Sequence, residues 1–462
     1  MSLVKLYAED FTLKESKWIR FFKFKRVLAF LVAIAILITA IGIGPVIGRI
    51  RQMISQKQAS APTTTAPTEK LSEKEKMERA VENLTKKLET NKTDPKLYTQ
   101  RAALYYNLEQ YDLAIDDYSS ALALKNDPQT HYFRAIVYII TEQHEKAYCD
   151  LQMALWKDPD NKDYLSLMAD TSNTLKRYSK ALTCLTALIE QDLENPTLYT
   201  LAGDACVYLG KFEESVAHYQ NALTYHTETT EKDGISKAAL YSAYANSLKS
   251  VEKFTEAAEA YTQSLQLKED KALYFQRGFC LLQSQEYEKA IEDFSKCVEL
   301  DYEVTVSKFQ RGLCYYSIQN YEAAIEDFAA YEQANPDKND SYLYMGLCYH
   351  ALEQYDTARN YYIKCIEADI SAGDCYFNLG NCYFNEENYS QAVVQYTEAI
   401  ARNAQLYPAL LNRGVAYIKL NKYNEAKVDL KRVIDECTDE ALVKNAKDSY
   451  EPIKNITIIT KK

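Results

Sequence analysis

Eleven cysteines and five histidines are the side chains of this 462-residue chain best suited to metal or redox chemistry. Thiolates and imidazoles bind zinc when they are grouped as CxxC pairs or at short Cys/His spacings. The sequence has no CxxC pair, and its histidines do not cluster with cysteines at zinc spacing. We therefore expect no metal site, no disulfide framework and no cofactor.

The cysteines recur instead at a fixed interval. Four of them are spaced by 34 residues and each follows a glycine by two residues: Cys280, Cys314, Cys348 and Cys382. Cys297 and Cys365 take a place where other segments of the same period have alanine. A free cysteine packs as a small hydrophobic residue. The pattern predicts buried packing positions with reduced thiols.

Motifs for the common catalytic chemistries are absent. The sequence contains no GxxxxGK[ST] and no HExxH, and His144-Glu145 is followed by Lys-Ala-Tyr. A phosphate-binding loop or a zinc protease needs those residues at those spacings. We predict that the protein is not an enzyme.

The 34-residue interval extends over most of the chain. Small residues recur ten times at steps of 33 or 34 residues, with one step of 42: Ala102, Ala135, Ala169, Gly203, Ala245, Gly278, Gly312, Gly346, Gly380 and Gly414. A second small residue follows each after twelve positions, and a large apolar or aromatic residue comes four positions later. In the ninth unit, Tyr376, Gly380 and Tyr383 share one helical face, while Ala392 and Tyr396 belong to a second helix.

This pattern resembles the tetratricopeptide repeat over roughly residues 95–440. The resemblance implies an all-α fold, a right-handed superhelical solenoid of about ten helix-turn-helix repeats. One hairpin cannot bury its apolar face alone, so neighbouring repeats stack and share a core.

Residues 27–48 contain 22 residues without a charge, which is enough for a single transmembrane helix before the solenoid. The predicted organisation is a basic segment (1–26), the transmembrane helix (27–48), a Ser/Thr/Pro linker (49–71), a capping half-repeat (72–94), repeats 1–4 (95–226), an irregular insertion (227–237), repeats 5–10 (238–440), and a capping helix with a tail (441–462). Ser72 and Glu75 are spaced as a capping box. The insertion is the best candidate for a bend between repeats 4 and 5.

Positive charge is heavier before the apolar segment than after it. We therefore expect an uncleaved signal anchor with a cytoplasmic amino terminus and exported repeats. Reduced cysteines are more typical of the cytosol. The alternative, in which the repeats are cytosolic, stays open.

The net charge of −11 is the sum of a basic amino-terminal segment and an acidic remainder of the chain. Residues 1–71 carry eleven Lys or Arg and four Asp or Glu, whereas the rest carries 43 and 61. An acidic solenoid is a poor ligand for nucleic acid, because neutralised phosphates supply most non-specific affinity. We expect protein or peptide ligands and membrane contact through residues 27–48.

The resemblance also implies a binding surface, because the first helix of each tetratricopeptide repeat lines a concave face on which ligand peptides lie. By register, repeats 6–10 place there an apolar row of Phe275, Phe309, Leu343, Phe377 and Leu411, beside Leu282, Tyr316, His350, Phe384 and Ile418. An amide row, which resembles the asparagine ladder of some long superhelices, contains Gln276, Gln310, Asn378 and Asn412, extended by Asn381 and Asn385. Repeats 3 and 4 place Ser166, Asp170, Thr200 and Asp204 at comparable positions.

These features favour a membrane-tethered, non-catalytic scaffold or receptor that binds protein partners and helps to assemble an envelope complex. One alternative is a membrane receptor with cytosolic repeats for chaperones or precursor proteins. The missing clamp residues count against this alternative. Some relatives bind a terminal carboxylate through a leading lysine, and this chain has other residues at that position: Thr99, Tyr132, Ser166 and Thr200. Another alternative is a structural protein that self-associates, partly through the GxxxG pair Gly44 and Gly48.

Overall fold

The computed structural model describes residues 72–232 and 234–456, and this part of the chain consists of helices joined by turns. The chain divides into two compact units, Met1–Lys76 and Met77–Lys462, and the helix pairs described below all belong to the second. The predicted segments 1–26, 27–48 and 49–71 lie outside the described residues. Within the residues that are described, no helix is long and apolar enough to cross a membrane.

Ten antiparallel helix pairs follow one another, as the repeat pattern predicts. Their first helices are Pro95–Asn107, Pro128–Ile140, Lys162–Thr174, Pro196–Tyr208, Lys237–Ser250, Lys271–Gln283, Val304–Ser317, Tyr342–Ala351, Ala372–Asn385 and Tyr407–Lys419. Their second helices are Tyr111–Leu124, His144–Lys157, Tyr178–Gln191, Phe212–Thr224, Phe254–Leu267, Tyr287–Glu299, Tyr321–Ala334, Tyr355–Glu367, Tyr389–Arg402 and Tyr423–Glu436. The second helix of each pair packs against the first helix of the next pair. The prediction of an all-α solenoid of helix-turn-helix repeats is confirmed.

The small residues of the repeat allow each first helix to meet the aromatic ring of its partner. A Cβ atom placed on Gly346 would lie 2.5 Å from Cε1 of Tyr362, and one on Gly380 would lie 2.6 Å from Cε1 of Tyr396. Both rings are fully buried. The recurring cysteines are also buried and free, so the prediction that they are packing positions is confirmed.

Every hairpin turns through one residue in the left-handed conformation. It lies seven positions after the small residue, and in nine of the ten repeats it is not glycine: Glu109, Glu142, Lys176, Gly210, Glu252, Gln285, Gln319, Glu353, Glu387 and Asn421. The next N–H returns to a carbonyl five residues earlier, as in the 2.9 Å bond from Gln354 N to Tyr349 O. This hydrogen bond caps the end of the first helix. The cost is that a residue with a Cβ atom must adopt a positive φ.

Five repeats contain a buried ion pair that the sequence reading missed. In repeat 7, Arg311 donates from Nε and Nη2 to both carboxylate oxygens of Asp327, at 2.7 and 2.8 Å, and from Nη1 to Ser295 of the preceding repeat at 2.9 Å. The same three-residue contact recurs at Arg101–Asp117–Thr85, Arg134–Asp150–Ser119, Arg277–Asp293–Thr262 and Arg413–Asp429–Thr397. Each contact joins two helices of one repeat to the repeat before it.

A helix precedes the first repeat within the segment for which the sequence predicts a capping half-repeat. The helix Glu73–Thr90 begins with the predicted capping box, in which Ser72 N donates to Glu75 Oε2 at 2.8 Å and Glu75 N donates to Ser72 Oγ at 3.3 Å. Leu88 of this helix is buried.

At the carboxyl-terminal end, the capping helix spans Glu440–Tyr450, one residue earlier than predicted. A single 3₁₀ turn, Glu451–Ile453, follows this helix, and Ile453 is buried. Residues 457–462 lie outside the described part.

The insertion between repeats 4 and 5 contains a short helix, Glu228–Lys232. The second helix of repeat 4 nevertheless packs directly against the first helix of repeat 5, and Val216 joins the apolar cluster of repeats 5 and 6. The extra residues therefore leave the packing between neighbouring repeats continuous.

Candidate functional site

The ten first helices form one face of the array, which we call the inner face. In repeats 6–10, consecutive first helices touch each other, whereas no two second helices within the described residues make comparably extensive contact. Elements on the inside of a curved stack approach more closely than those on the outside. In repeats 6–10 the first helices therefore lie on the narrower side, where the resemblance places the ligand.

The predicted apolar row fills the space between neighbouring repeats. Phe309 packs against Phe328, Tyr331 and Tyr344, with ring centroids 5.6, 4.7 and 6.2 Å away. Phe377 is only 8% exposed and Leu411 only 1%. Since a ligand cannot reach such side chains without displacing the core, these two residues belong to the packing rather than to a contact surface.

The remaining members of this row are half-buried. Phe275 packs edge-on against Phe294 at 5.8 Å, and Leu343 joins the core cluster of repeats 8 and 9. Both keep part of their side chains accessible. They can contribute the margin of a binding surface but not its centre.

The neighbouring apolar row lies seven residues, about two turns, further along each first helix, and it keeps accessible surface. Its members are all half-buried: Leu282, Tyr316, His350, Phe384 and Ile418. Burial lowers the pKa of His350 to about 4, so its imidazole is neutral at neutral pH. Its Nε2 atom accepts a hydrogen bond from Asn385 at 3.2 Å, which links the first helices of repeats 8 and 9.

Some side-chain amides of the amide row form hydrogen bonds within the protein, and others do not. Asn412 Nδ2 donates to Asn381 Oδ1 at 2.9 Å, and Lys249 donates to Gln276 Oε1. Gln310 and Asn378 make no side-chain hydrogen bond to another described residue. Side-chain amides carry donors and an acceptor that match a peptide backbone. These two amides are therefore the members of the row that are available to a ligand.

A tyrosine hydroxyl reaches a polar residue at the same place in three repeats. The position is the one directly after the small residue of the first helix. Tyr219 donates to Asp204 at 2.6 Å, Tyr261 to Asn246 at 2.7 Å, and Tyr396 to Asn381 at 2.8 Å.

Asp170 holds this position in repeat 3 without such a partner, because Leu185 stands where the tyrosine would be. The Oδ2 atom of Asp170 is buried and has no hydrogen-bond partner among the described residues. Burial raises the pKa of Asp170 to about 6. Burial also raises the pKa of Asp204 to about 6, against the opposing effect of the hydrogen bond from Tyr219.

Two surface cavities lie elsewhere on the array. One, of about 300 Å³, is lined by Arg134, Tyr138, Glu145, Lys146, Cys149 and Asp150. The other, of about 520 Å³, lies mainly against the second helix of repeat 3 and includes Leu182, Thr186 and Leu209. Neither contains a residue of the predicted rows. The described residues include no group of three or more His, Cys, Asp or Glu side chains placed to hold a metal ion.

Sequence models of the tetratricopeptide repeat match residues 95–128, 193–270, 272–303, 309–372, 373–406 and 407–438. These segments together cover more than half of the chain, and they coincide with the helix pairs. The chain belongs to the tetratricopeptide repeat family.

One relative matches part of this chain at low sequence identity. The DnaJ homolog subfamily C member 7 homolog of Dictyostelium discoideum is 23% identical over 28% of this chain and 32% of its own length. The match thus spans about a third of that relative.

Two solved structures are similar to this chain at low sequence identity. A tetratricopeptide repeat protein from Parabacteroides merdae is 17% identical, covers 55% of this chain and 98% of its own, and has a TM-score of 0.41. Yeast Tom70 is 14% identical, covers 78% of this chain and 95% of its own, and has a TM-score of 0.35.

Proposed function

We propose that this tetratricopeptide protein is a non-catalytic scaffold or receptor that binds an extended polypeptide along its inner face. The observation that carries the proposal is the half-buried apolar row of repeats 6–10, on whose helices the amides of Gln310 and Asn378 make no side-chain hydrogen bond to another described residue. An apolar stripe next to free backbone-like donors and acceptors suits an extended chain, whose side chains and amides are contacted together.

Site-specific photo-crosslinking in cells tests this proposal with the full chain. A benzophenone amino acid is placed at the exposed inner-face positions Gln283 and Ser317, next to the apolar row. Matched control positions are Ile363 and Val394, which are 41% and 51% exposed on second helices. We expect polypeptides to be captured from the inner positions and identified by mass spectrometry. Equal capture from both faces, or none from the inner face, would refute the proposal.

We propose further that residues 27–48 tether the array to a membrane and that the partners belong to an assembly of the cell envelope. The uncharged segment and its basic amino-terminal flank support this. Extraction of membranes with alkaline carbonate tests the tether, because an integral protein stays in the pellet. Protease added to intact cells tests the side, and loss of a carboxyl-terminal tag is the expected result.

A receptor with cytosolic repeats for chaperones or precursor proteins is the second candidate. The free, buried cysteines favour it, since reduced thiols are typical of the cytosol. In that case the carboxyl-terminal tag is resistant to protease until the cells are lysed. The third candidate, a self-associating structural protein, predicts oligomers of the full chain in detergent, which light scattering detects.

A further inference from the structure

Two of the buried cysteines meet at the boundary between repeats 8 and 9. Cys365 belongs to the second helix of repeat 8, Tyr355–Glu367, and Cys375 to the first helix of repeat 9, Ala372–Asn385. Both side chains are fully buried in one apolar cluster. The two thiols share a hydrogen bond, and this contact together with burial raises the pKa of the Cys375 thiol. The two helices therefore bring a pair of reduced thiols into direct contact.

The loop between these helices holds the two cysteines in place. Ile370 N donates to Cys365 O at 3.0 Å, and Cys375 Sγ donates to Ile370 O at 3.4 Å. Asp369 and Ser371, on either side of Ile370, adopt the left-handed conformation with φ of 54° and 44°. One loop residue is thus bonded to both cysteines, so the backbone of the loop fixes where the two thiols lie.

The same loop recurs between repeats 6 and 7, with a serine in place of the second cysteine. Tyr302 N donates to Cys297 O at 2.9 Å, and Ser307 Oγ donates to Tyr302 O at 3.2 Å. The side chains of Cys297 and Ser307 also share a hydrogen bond. A thiol therefore meets a hydroxyl at this boundary and a second thiol at the other. In the sequence, only the boundary of repeats 8 and 9 has cysteine at both places.

We propose that Cys365 and Cys375 form a disulfide when the array folds in an oxidising compartment, and that this disulfide fixes repeat 8 to repeat 9. The inference adds a covalent modification site and does not depend on the proposed function. A disulfide brings two sulfur atoms to about 2 Å, so thiols that already contact each other in the folded chain are suitable partners. Because the bond closes a loop and restricts the unfolded chain, it should stabilise the folded array.

The oxidant is a small disulfide such as oxidised glutathione. The thiolate of one cysteine attacks it and releases one glutathione thiolate, and the thiolate of the other cysteine attacks the mixed disulfide and releases the second. The two protein thiols are oxidised, and the small disulfide is reduced to two glutathione thiols, which take up the two protons. Neither cysteine has accessible surface in the folded array. The reaction therefore takes place while the repeats fold, before the thiols are buried.

Refolding of the full chain in glutathione tests the inference. The chain is unfolded in urea with detergent and refolded in a mixture of reduced and oxidised glutathione, and the remaining thiols are blocked with iodoacetamide. A protease that cleaves after glutamate separates Cys365 from Cys375 at Glu367, and the two peptides are 354–367 and 368–386. Mass spectrometry then detects these peptides as a linked pair, which a reductant separates.

Three variants make the result specific. C375S gives repeats 8 and 9 the serine that repeats 6 and 7 have at this place, so it removes the thiol with little change in size. The matched control is C382A, which removes another buried thiol of the same cluster. S307C/C375S moves the thiol pair to the boundary of repeats 6 and 7.

We expect the linked peptides in wild type and C382A and their loss in C375S. S307C/C375S should instead form a disulfide at Cys297. Oxidised wild type should unfold at a higher urea concentration than reduced wild type, whereas the midpoint of C375S should be the same under both conditions.

Three results overturn the inference. The first is refolded wild type that recovers its helical circular dichroism signal without the linked peptides. The second is the same yield of linked peptides from C375S, which would mean that Cys365 pairs with a different cysteine. The third is an unchanged urea midpoint of oxidised wild type, which would show that the bond does not fix the two repeats. None of these results bears on binding at the inner face, so the proposed function is tested separately.

Discussion

Replacing Asp170 by asparagine should make the array more stable at neutral pH. Burial raises the pKa of Asp170 from 3.8 to about 6, a change of about two pKa units. Each unit corresponds to about 1.4 kcal/mol of differential stability between the two protonation states, so the charged form costs the folded protein up to about 3 kcal/mol. The side chain is partly accessible and water screens it, so we expect a gain of about 1–3 kcal/mol for the variant.

The raised pKa of Asp170 also predicts how the stability gain of D170N depends on pH. The folded state binds the proton of Asp170 more tightly than the unfolded state does. Between pH 4 and pH 6 the folded protein therefore carries more protons, and its stability falls as the pH rises through this window. Well below pH 4 the carboxyl group of Asp170 is neutral in both states and does not affect the free energy of unfolding. The stability difference between D170N and wild type should be small at pH 4 and reach its full value above pH 6.

Urea unfolding followed by circular dichroism, at pH 4 and at pH 7.5, measures this difference on the full chain. The matched control is D163N, which removes an exposed carboxylate from the first turn of the same helix. Because that carboxylate interacts favourably with the helix dipole, the control should lose about 0.5 kcal/mol. If D170N is less stable than wild type at pH 7.5, or if its effect does not depend on pH, Asp170 has a stabilising partner and the reasoning is wrong.

Three further predictions concern packing and turns, and each is measured by urea unfolding of the full chain. R311M should cost about 3–5 kcal/mol because it leaves Asp327 buried without its cation, whereas R311M/D327Y, the residue pair of repeat 8, should cost less than the single change. A double variant as unstable as R311M would contradict this. G380A should cost about 1–3 kcal/mol, because its Cβ atom would lie 2.6 Å from the buried ring of Tyr396, and an unchanged midpoint would show that the ring can shift. E353G should gain about 0.5–1 kcal/mol because glycine adopts the φ of 60° without strain, and a loss would mean that the side chain of Glu353 is itself needed.

The helix-pair architecture could be predicted from the sequence because it depends on the spacing of the repeats and on the size of the residues that recur in them. Gly346 and Cys348 recur with the repeat, and a recurring small residue indicates a recurring close contact, which the buried ring of Tyr362 confirms. The capping box of Ser72 and Glu75 was predictable for a different reason, since both partners lie within one helical turn. Membrane anchoring stays a prediction.

The sequence predicted the helix on which each candidate site residue lies, but not how exposed that residue is. The repeat register placed Phe377 on the first helix of its repeat. Whether a residue at that position faces a ligand or the next repeat depends on how neighbouring repeats pack. In the structure Phe377 is buried. The arginine pairs were readable in principle, because an arginine precedes the small residue only in the repeats with an aspartate sixteen positions later, as for Arg311 and Asp327. The left-handed turn at Glu353 had no such signal, since glutamate has no preference for positive φ.

The sequence by itself determined the repeat, its helices and its close contacts, because these depend on residues that are near each other in the chain or recur with a constant period. Only the tertiary structure decided which polar groups are satisfied. The sequence shows Leu185 where a tyrosine partner of Asp170 would lie, but only the structure shows that the Oδ2 atom of Asp170 is buried with no hydrogen-bond partner among the described residues. The reason is physical: a hydrogen bond depends on the mutual position of two side chains within a few tenths of an ångström, and packing sets that position.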